Sequence, residues 1–197
     1  MKKTIITISI LILIAFVFIG YKTDMFGLIT KDNSDYSLIV KDYLGKMIDH
    51  EQLAVMASTP IMNNLDIKEA RVRVMAANTV DVHSFDIAKM NNIYSQYLGG
   101  AYMISTSTEN IFSNLAELKG DELGKMYIKD LIKHNERSIK ISETFIKKIE
   151  KYKNANAVKQ DGIVITSSHP AIDESYDLAK SIIDSKKKEI ELMKNIY

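Results

Sequence analysis

The chain has no cysteine among its 197 residues. Disulfides, thiolate zinc sites, cysteine nucleophiles and a lipid-modified N-terminal cysteine are therefore excluded. Tryptophan is absent too, and proline and glycine are scarce, at two and eight. Such a chain suits long helices better than a turn-dense β-fold. It also lacks a surplus of either charge: 26 basic and 25 acidic residues give a formal net charge of +1. A nucleic-acid binder ordinarily carries a strong basic excess, so no nucleic-acid partner is expected. What is plentiful is hydrophobic residues, 46% of the chain with ten methionines, enough for the core of one domain or two small ones.

The N-terminus reads as a targeting segment. Lys2 and Lys3 precede Thr4 to Gly20, an uncharged run of 17 residues dominated by Ile, Leu, Phe and Val. A basic n-region followed by an apolar h-region marks residues 1–22 as a signal peptide or membrane anchor. The length falls between a signal peptide and a minimal membrane span. Phe18, Ile19 and Gly20 make no small-x-small cleavage site, so cleavage and retention both stay open. If the segment is retained, the membrane is a partner through residues 4–20. The positive-inside rule keeps the lysine pair in the cytoplasm and sends the rest outward. The expected location is the periplasm or the outer face of the inner membrane. Without residues 1–22 the chain carries 23 basic and 25 acidic residues, with no electrostatic attraction for DNA or anionic lipid.

After a linker at 23–34, apolar residues recur at three- and four-residue steps, the mark of amphipathic helices. The first stripe runs through Leu38, Tyr43, Leu44, Met47, Ile48 and Val55, and Pro60 is expected to end it. A second helix is expected from Asn63 or Asn64, either a suitable cap, to Gly99-Gly100. A short connecting helix is expected around 110–118, then a third long helix opened by Gly120-Asp121. Residues 153–169 read as a polar loop with an apolar Ile163-Val164-Ile165 segment, and Pro170 suits the first turn of the last helix. The predicted helices are 35–58, 64–98, 122–152 and 170–197.

These four helices read as two copies of one hairpin, 35–98 and 122–197, joined by a connector at 99–121. Tyr43, Ile48 and His50 match Tyr127, Ile132 and His134 at equal spacing. The closing helices match better: five of nine positions are identical between 86–94 and 189–197, with Asp86 against Glu189 at a sixth. One hairpin cannot bury its apolar face alone, so two should close a single core. The expected fold is all-α, a four-helix bundle of two repeated antiparallel hairpins behind an apolar N-terminal signal or anchor helix.

Each half resembles the bacterial family known as domain of unknown function 305. Its usual pattern is a helix bearing Met-Ile-Pro-His-His-Gln, then a second with Gln-x-x-Glu-Ile-x-x-Met and a closing aromatic. The first half gives Met47-Ile48-Asp49-His50-Glu51-Gln52, then Ala54 and Met56-Ala57, and later His83 to Met90 and Tyr94. The second half gives Leu131-Ile132-Lys133-His134-Asn135-Glu136, and Lys186 to Met193 with Tyr197. The family's proline is Asp49 and Lys133 here, and its second histidine is Glu51 and Asn135. The resemblance implies a ferritin-like helical bundle, commonly exported, with copper binding through Met and His in some members.

Spacing alone makes a candidate metal site in the first half. Tyr43, Met47, His50 and Ala54 follow at i, i+4, i+7 and i+11 on one helix face. His83, Asp86 and Met90 share a face of the next helix. An antiparallel hairpin can bring the two faces together. The candidate ligands are Met47, His50, His83 and Met90, with Glu51 and Asp86 as additional oxygen donors. Thioether and imidazole suit Cu(I), while imidazole and carboxylate accept Cu(II) or Zn(II). Methionine on an apolar face is ordinarily core filler, and histidine bonded to a carboxylate is common, so the structural reading stays open. Lys186 stands where the second half would place His83, and is expected to disfavour a cation in that half. His169, before Pro170, suits a turn or cap.

Enzymatic motifs do not occur. Val80, Met47 and Leu131 stand three residues before His83, His50 and His134, so no Glu-x-x-His pair of a di-iron bundle is present. His-Glu-x-x-His, a phosphate loop, a dinucleotide fingerprint and Gly-x-Ser-x-Gly are also missing. The expectation is a non-enzymatic envelope protein binding copper, or another soft or borderline metal, and no other cofactor. The alternative is a metal-free structural or protein-interaction module. The sequence names neither a protein partner nor an oligomeric state.

Overall fold

A computed structural model describes residues 33–105, 112, 114–160, 163–165 and 169–197. The expected signal or anchor at 1–22, almost all of the linker, and part of the connector lie outside the described residues. Among the described residues no helix is long and apolar enough to cross a membrane.

Four long helices make up the fold: α1 (Asn33–Met62), α2 (Ala70–Tyr97), α3 (Gly120–Ala155) and α4 (Pro170–Lys194). Tyr36–Tyr197 form one compact unit. The all-helical reading holds, with differences at the helix ends. Pro60 does not stop α1, which runs on to Met62. A proline in the last turn removes only one N–H from the ladder, and the Thr59 hydroxyl donates to the Val55 carbonyl at 2.7 Å beside it. Asn64 does not cap α2. Its Oδ1 instead accepts from the Asp66 amide at 3.0 Å, forming a local turn. Glu69 is the cap, accepting from the Arg71 amide at 3.1 Å and from the Arg71 guanidinium at 2.8 Å. The expected connecting helix is reduced to a 3₁₀ turn at Leu115–Glu117. The apolar segment at 163–165 is strand β2 (Ile163–Ile165), antiparallel to β1 (Val158–Gln160). His169 caps α4 through Nδ1, which accepts from the Ala171 amide at 3.2 Å, and Pro170 follows in the first turn.

Cross-helix pairs fix the topology. Along α1, Tyr43, His50 and Ser58 meet Phe145, His134 and Tyr127 of α3 in reverse order. Along α2, Arg71, His83 and Tyr97 meet Asn195, Lys186 and Glu174 at or beside α4, again in reverse. Asn135, Glu150 and Lys153 of α3 meet Glu189, Tyr176 and Asp173 of α4 likewise. Helices α2 and α3 are therefore parallel. A short loop cannot join parallel neighbours end to end, so the connector must return along the bundle, as in ferritin-like folds with one long crossover. It starts at Gly99 and Gly100, whose φ of 79° and 88° suit glycine. It is pinned to α1 where the Tyr102 hydroxyl and the Ser105 amide donate to Asp49 at 2.7 and 2.8 Å. Gly45 makes room there, because a Cβ would lie 2.8 Å from the Tyr102 ring.

The interior has three layers. One apolar cluster contains Tyr43, Leu44, Met47, Met90, Phe145, Ile149 and Ile182. The other contains Ile67, Val72, Tyr127, Leu131 and Met193. All four helices contribute to each, so they close a shared core. Between them lies a buried polar layer: His50 and Glu51 of α1, His83 and Asp86 of α2, His134, Asn135 and Ser138 of α3, and Lys186 of α4.

Candidate metal centre

The polar layer has two sides. On the α1–α3 side His50 and His134 stack, with ring centroids 3.8 Å apart and planes 6° from parallel. His50 Nε2 lies 3.0 Å from the His134 carbonyl. A carbonyl only accepts, so Nε2 carries the proton and Nδ1 the lone pair. Metal-binding histidines are commonly held this way, by donating the other N–H to a backbone carbonyl. Burial holds both imidazoles below their ordinary value of 6.5, His134 well below it, and each also feels the other's charge or that of His83. Both are neutral at pH 7. His134 is fully buried, and neither of its ring nitrogens has a hydrogen-bond partner. Buried polar atoms are nearly always paired, so two orphans on one ring are a specific feature of this site.

Glu51 joins them. It is fully buried, and its Oε1 accepts from the Ser138 hydroxyl at 2.8 Å. Burial works against its charge, but His83 and Lys186 outweigh burial and hold the carboxyl well below the usual range. Donor atoms of His50, Glu51 and His134 all lie within 4.8 Å of one another. Two neutral imidazoles and a carboxylate are a set that Cu(II) and Zn(II) accept, and imidazole also serves Cu(I).

The α2–α4 side is closed. Lys186 Nζ lies 2.7 Å from His83 Nε2. Burial opposes the ammonium, yet Glu51, Glu189 and Asp86 keep the Lys186 pKa above its ordinary value. The ammonium therefore donates, His83 Nε2 accepts, and the imidazole proton sits on Nδ1, 2.6 Å from Glu51 Oε2.

The sequence-predicted set is thus divided. His50 and Glu51 lie on the open side, whereas His83 faces Lys186. Asp86 is buried beside the layer, and burial pushes its pKa up despite Lys186. Met47 and Met90 are fully buried in the Tyr43 cluster. Lys186 is not confined to the second half, as its place in the repeat suggested; it reaches across the bundle to His83. The predicted ligand set left out His134, Asn135 and Ser138. The signal for His134 was the alignment itself: His50 and His134 match in sequence and meet in space.

The fold and site define an all-helical four-helix bundle with a buried nitrogen–oxygen donor centre. Solved structures carry the same fold. The DUF305 fragment from Deinococcus radiodurans superposes with a TM-score of 0.60 at 13% identity, covering 80% of this chain and 94% of that one. CopM in the Cu(I)-bound form gives 0.57 at 18%, again covering 80% and 94%. CopM in the Cu(II)-bound form gives 0.55 at 18%, covering 80% and 95%. The fold expected from the resemblance to domain of unknown function 305 is the fold observed. No family model matches the chain, and no curated protein does.

Proposed function

We propose that this is a copper-binding helical-bundle protein of the cell envelope, holding the ion between His50, Glu51 and His134. One observation carries the reading: the fully buried His134 ring has no hydrogen-bond partner at either nitrogen, beside two further donors. An ion at this point would give that ring the partner it lacks. Copper is favoured over other metals by the likeness to CopM, solved with Cu(I) and Cu(II) bound. Export is supported by Lys2-Lys3 and the apolar run that follows, with residues 1–22 cut off or kept as an anchor. The role is binding, not catalysis.

The alternative, a metal-free structural or interaction module, has its own observation: Lys186 already neutralises Glu51 across 3.3 Å. Copper titration of the full-length protein separates the two. The wild type should bind one ion, and His50→Ala and His134→Ala should each weaken binding about 100-fold, the upper range for disturbing a metal site. His83→Ala separates this donor set from the one built on Met47, His50, His83 and Met90. Little change points to the first, and a comparable loss to the second. No copper bound by the wild type leaves the metal-free module.

A further inference from the structure

Lysine is almost never fully buried unless it is paired, and Lys186 is fully buried in mid-bundle. Its Nζ lies 2.7 Å from His83 Nε2, 3.3 Å from Glu51 Oε2 and 3.5 Å from Glu189 Oε1. One imidazole nitrogen and two carboxylate oxygens, from three helices, converge on a single cation. That is a donor set zinc accepts. A second observation points the same way. Glu51 Oε2 and His83 Nδ1 are buried and touch at 2.6 Å, yet neither makes an aligned hydrogen bond. This carboxylate oxygen is held by charge, as a metal ligand would be.

The geometry points to Lys186 as a built-in cation that fills a second cation position, formed by Glu51, His83 and Glu189, and keeps divalent metal out of it. The position shares Glu51 with the proposed copper site but does not depend on copper binding there. The lysine stem crosses the core so that its ammonium takes the place of an ion, and the layer accepts no second metal while the ammonium is present. Removing it leaves Glu51, Glu189 and His83 Nε2 facing the space the ammonium held, with room for a divalent ion.

The test is equilibrium dialysis of the full-length protein against Zn(II), with bound zinc measured by elemental analysis and folding by circular dichroism. Lys186→Ala should hold one more zinc per chain than the wild type. Lys186→Arg, which keeps a cation, should gain none, and adding Glu51→Gln to Lys186→Ala should abolish the gain. If Lys186→Ala unfolds without metal, zinc should refold it with that same extra ion. A folded Lys186→Ala with wild-type stoichiometry, or an unfolded one that zinc does not rescue, overturns the inference. A wild type with no zinc and a variant with one keeps this inference, whatever the copper titration shows. One zinc in each overturns it.

Discussion

The two sides of the buried layer pair positions that line up in sequence, and they end in opposite states. On the α1–α3 side both positions hold histidine, and His50 meets His134 as two neutral rings. On the α2–α4 side the residues differ, and His83 meets Lys186 as acceptor and donor at 2.7 Å. The unlike pair joins His83 Nε2 to the ammonium. The like pair leaves both nitrogens of His134 without a partner. The comparison teaches that a buried polar layer can be charge-balanced as a whole and still hold an open ligand position on one side.

The largest expected effect lies on the closed side. Lys186→Met strands the Glu51 charge in the core, and breaking one partner of a buried pair costs about 3–5 kcal/mol. Adding Glu51→Gln should restore much of that stability, because the stranded charge goes with it. Urea unfolding of the metal-free single and double variants measures both, and a loss below about 1 kcal/mol for the single variant would show that Lys186 does not balance the layer.

The open side should respond differently. His134→Phe removes two atoms that have no partners, so metal-free stability should stay within about 1 kcal/mol of wild type or rise. His83→Phe should cost more, because it leaves Lys186 and Glu51 without their shared neighbour. Equal losses in the two variants would erase the distinction between the sides.

Acid sharpens the same contrast. His50 and His134 have folded pKa values below 6.5, so the unfolded chain takes up protons there that the folded chain refuses. Their contribution is full above about pH 6.5 and is lost as pH falls below it. Glu51, held low, adds a further loss only as pH drops below its ordinary 4.5. Lys186, held high, keeps its contribution until pH rises past its ordinary 10.5. Burial opposes a charge on His83, but Glu51 raises its pKa, which works the other way over this interval. The two lowered rings outnumber it, so melting temperature should fall between pH 7 and 5, with a shallower slope in His134→Phe. A flat wild-type profile over that interval would contradict the placement of the two neutral histidines.

The smallest effect concerns the crossover. Tyr102→Phe removes one hydrogen bond to Asp49 and should cost about 1 kcal/mol in urea unfolding without changing metal binding.

Much of the fold was legible because burial imposes a period on the chain. The stripes through Tyr43, Met47 and Ile48, and through Tyr127, Ile128 and Leu131, fix helix faces without reference to any partner. The start of α2 was not legible, because Asn64 suits a cap and a local turn equally well, and the choice fell to Glu69 with Arg71 beside it. The direction of α3 relative to α2 was hidden too, since periodicity says nothing about whether a connector turns back or crosses over. Spacing placed His50 and His83 on facing helices but left open which cross-bundle partner each would meet. That depends on register, and register brought Lys186 to His83 and His134 to His50.

The most direct measurement is nitrogen-detected NMR of the four histidine side chains during titration of the full-length protein with Ag(I), a diamagnetic stand-in for Cu(I). The account predicts that the ring nitrogens of His50 and His134 shift together and saturate at one ion per chain. His83 should move little, and His169, which caps α4, should not move. Shifts confined to His83, or none in any ring at saturating silver, would contradict it.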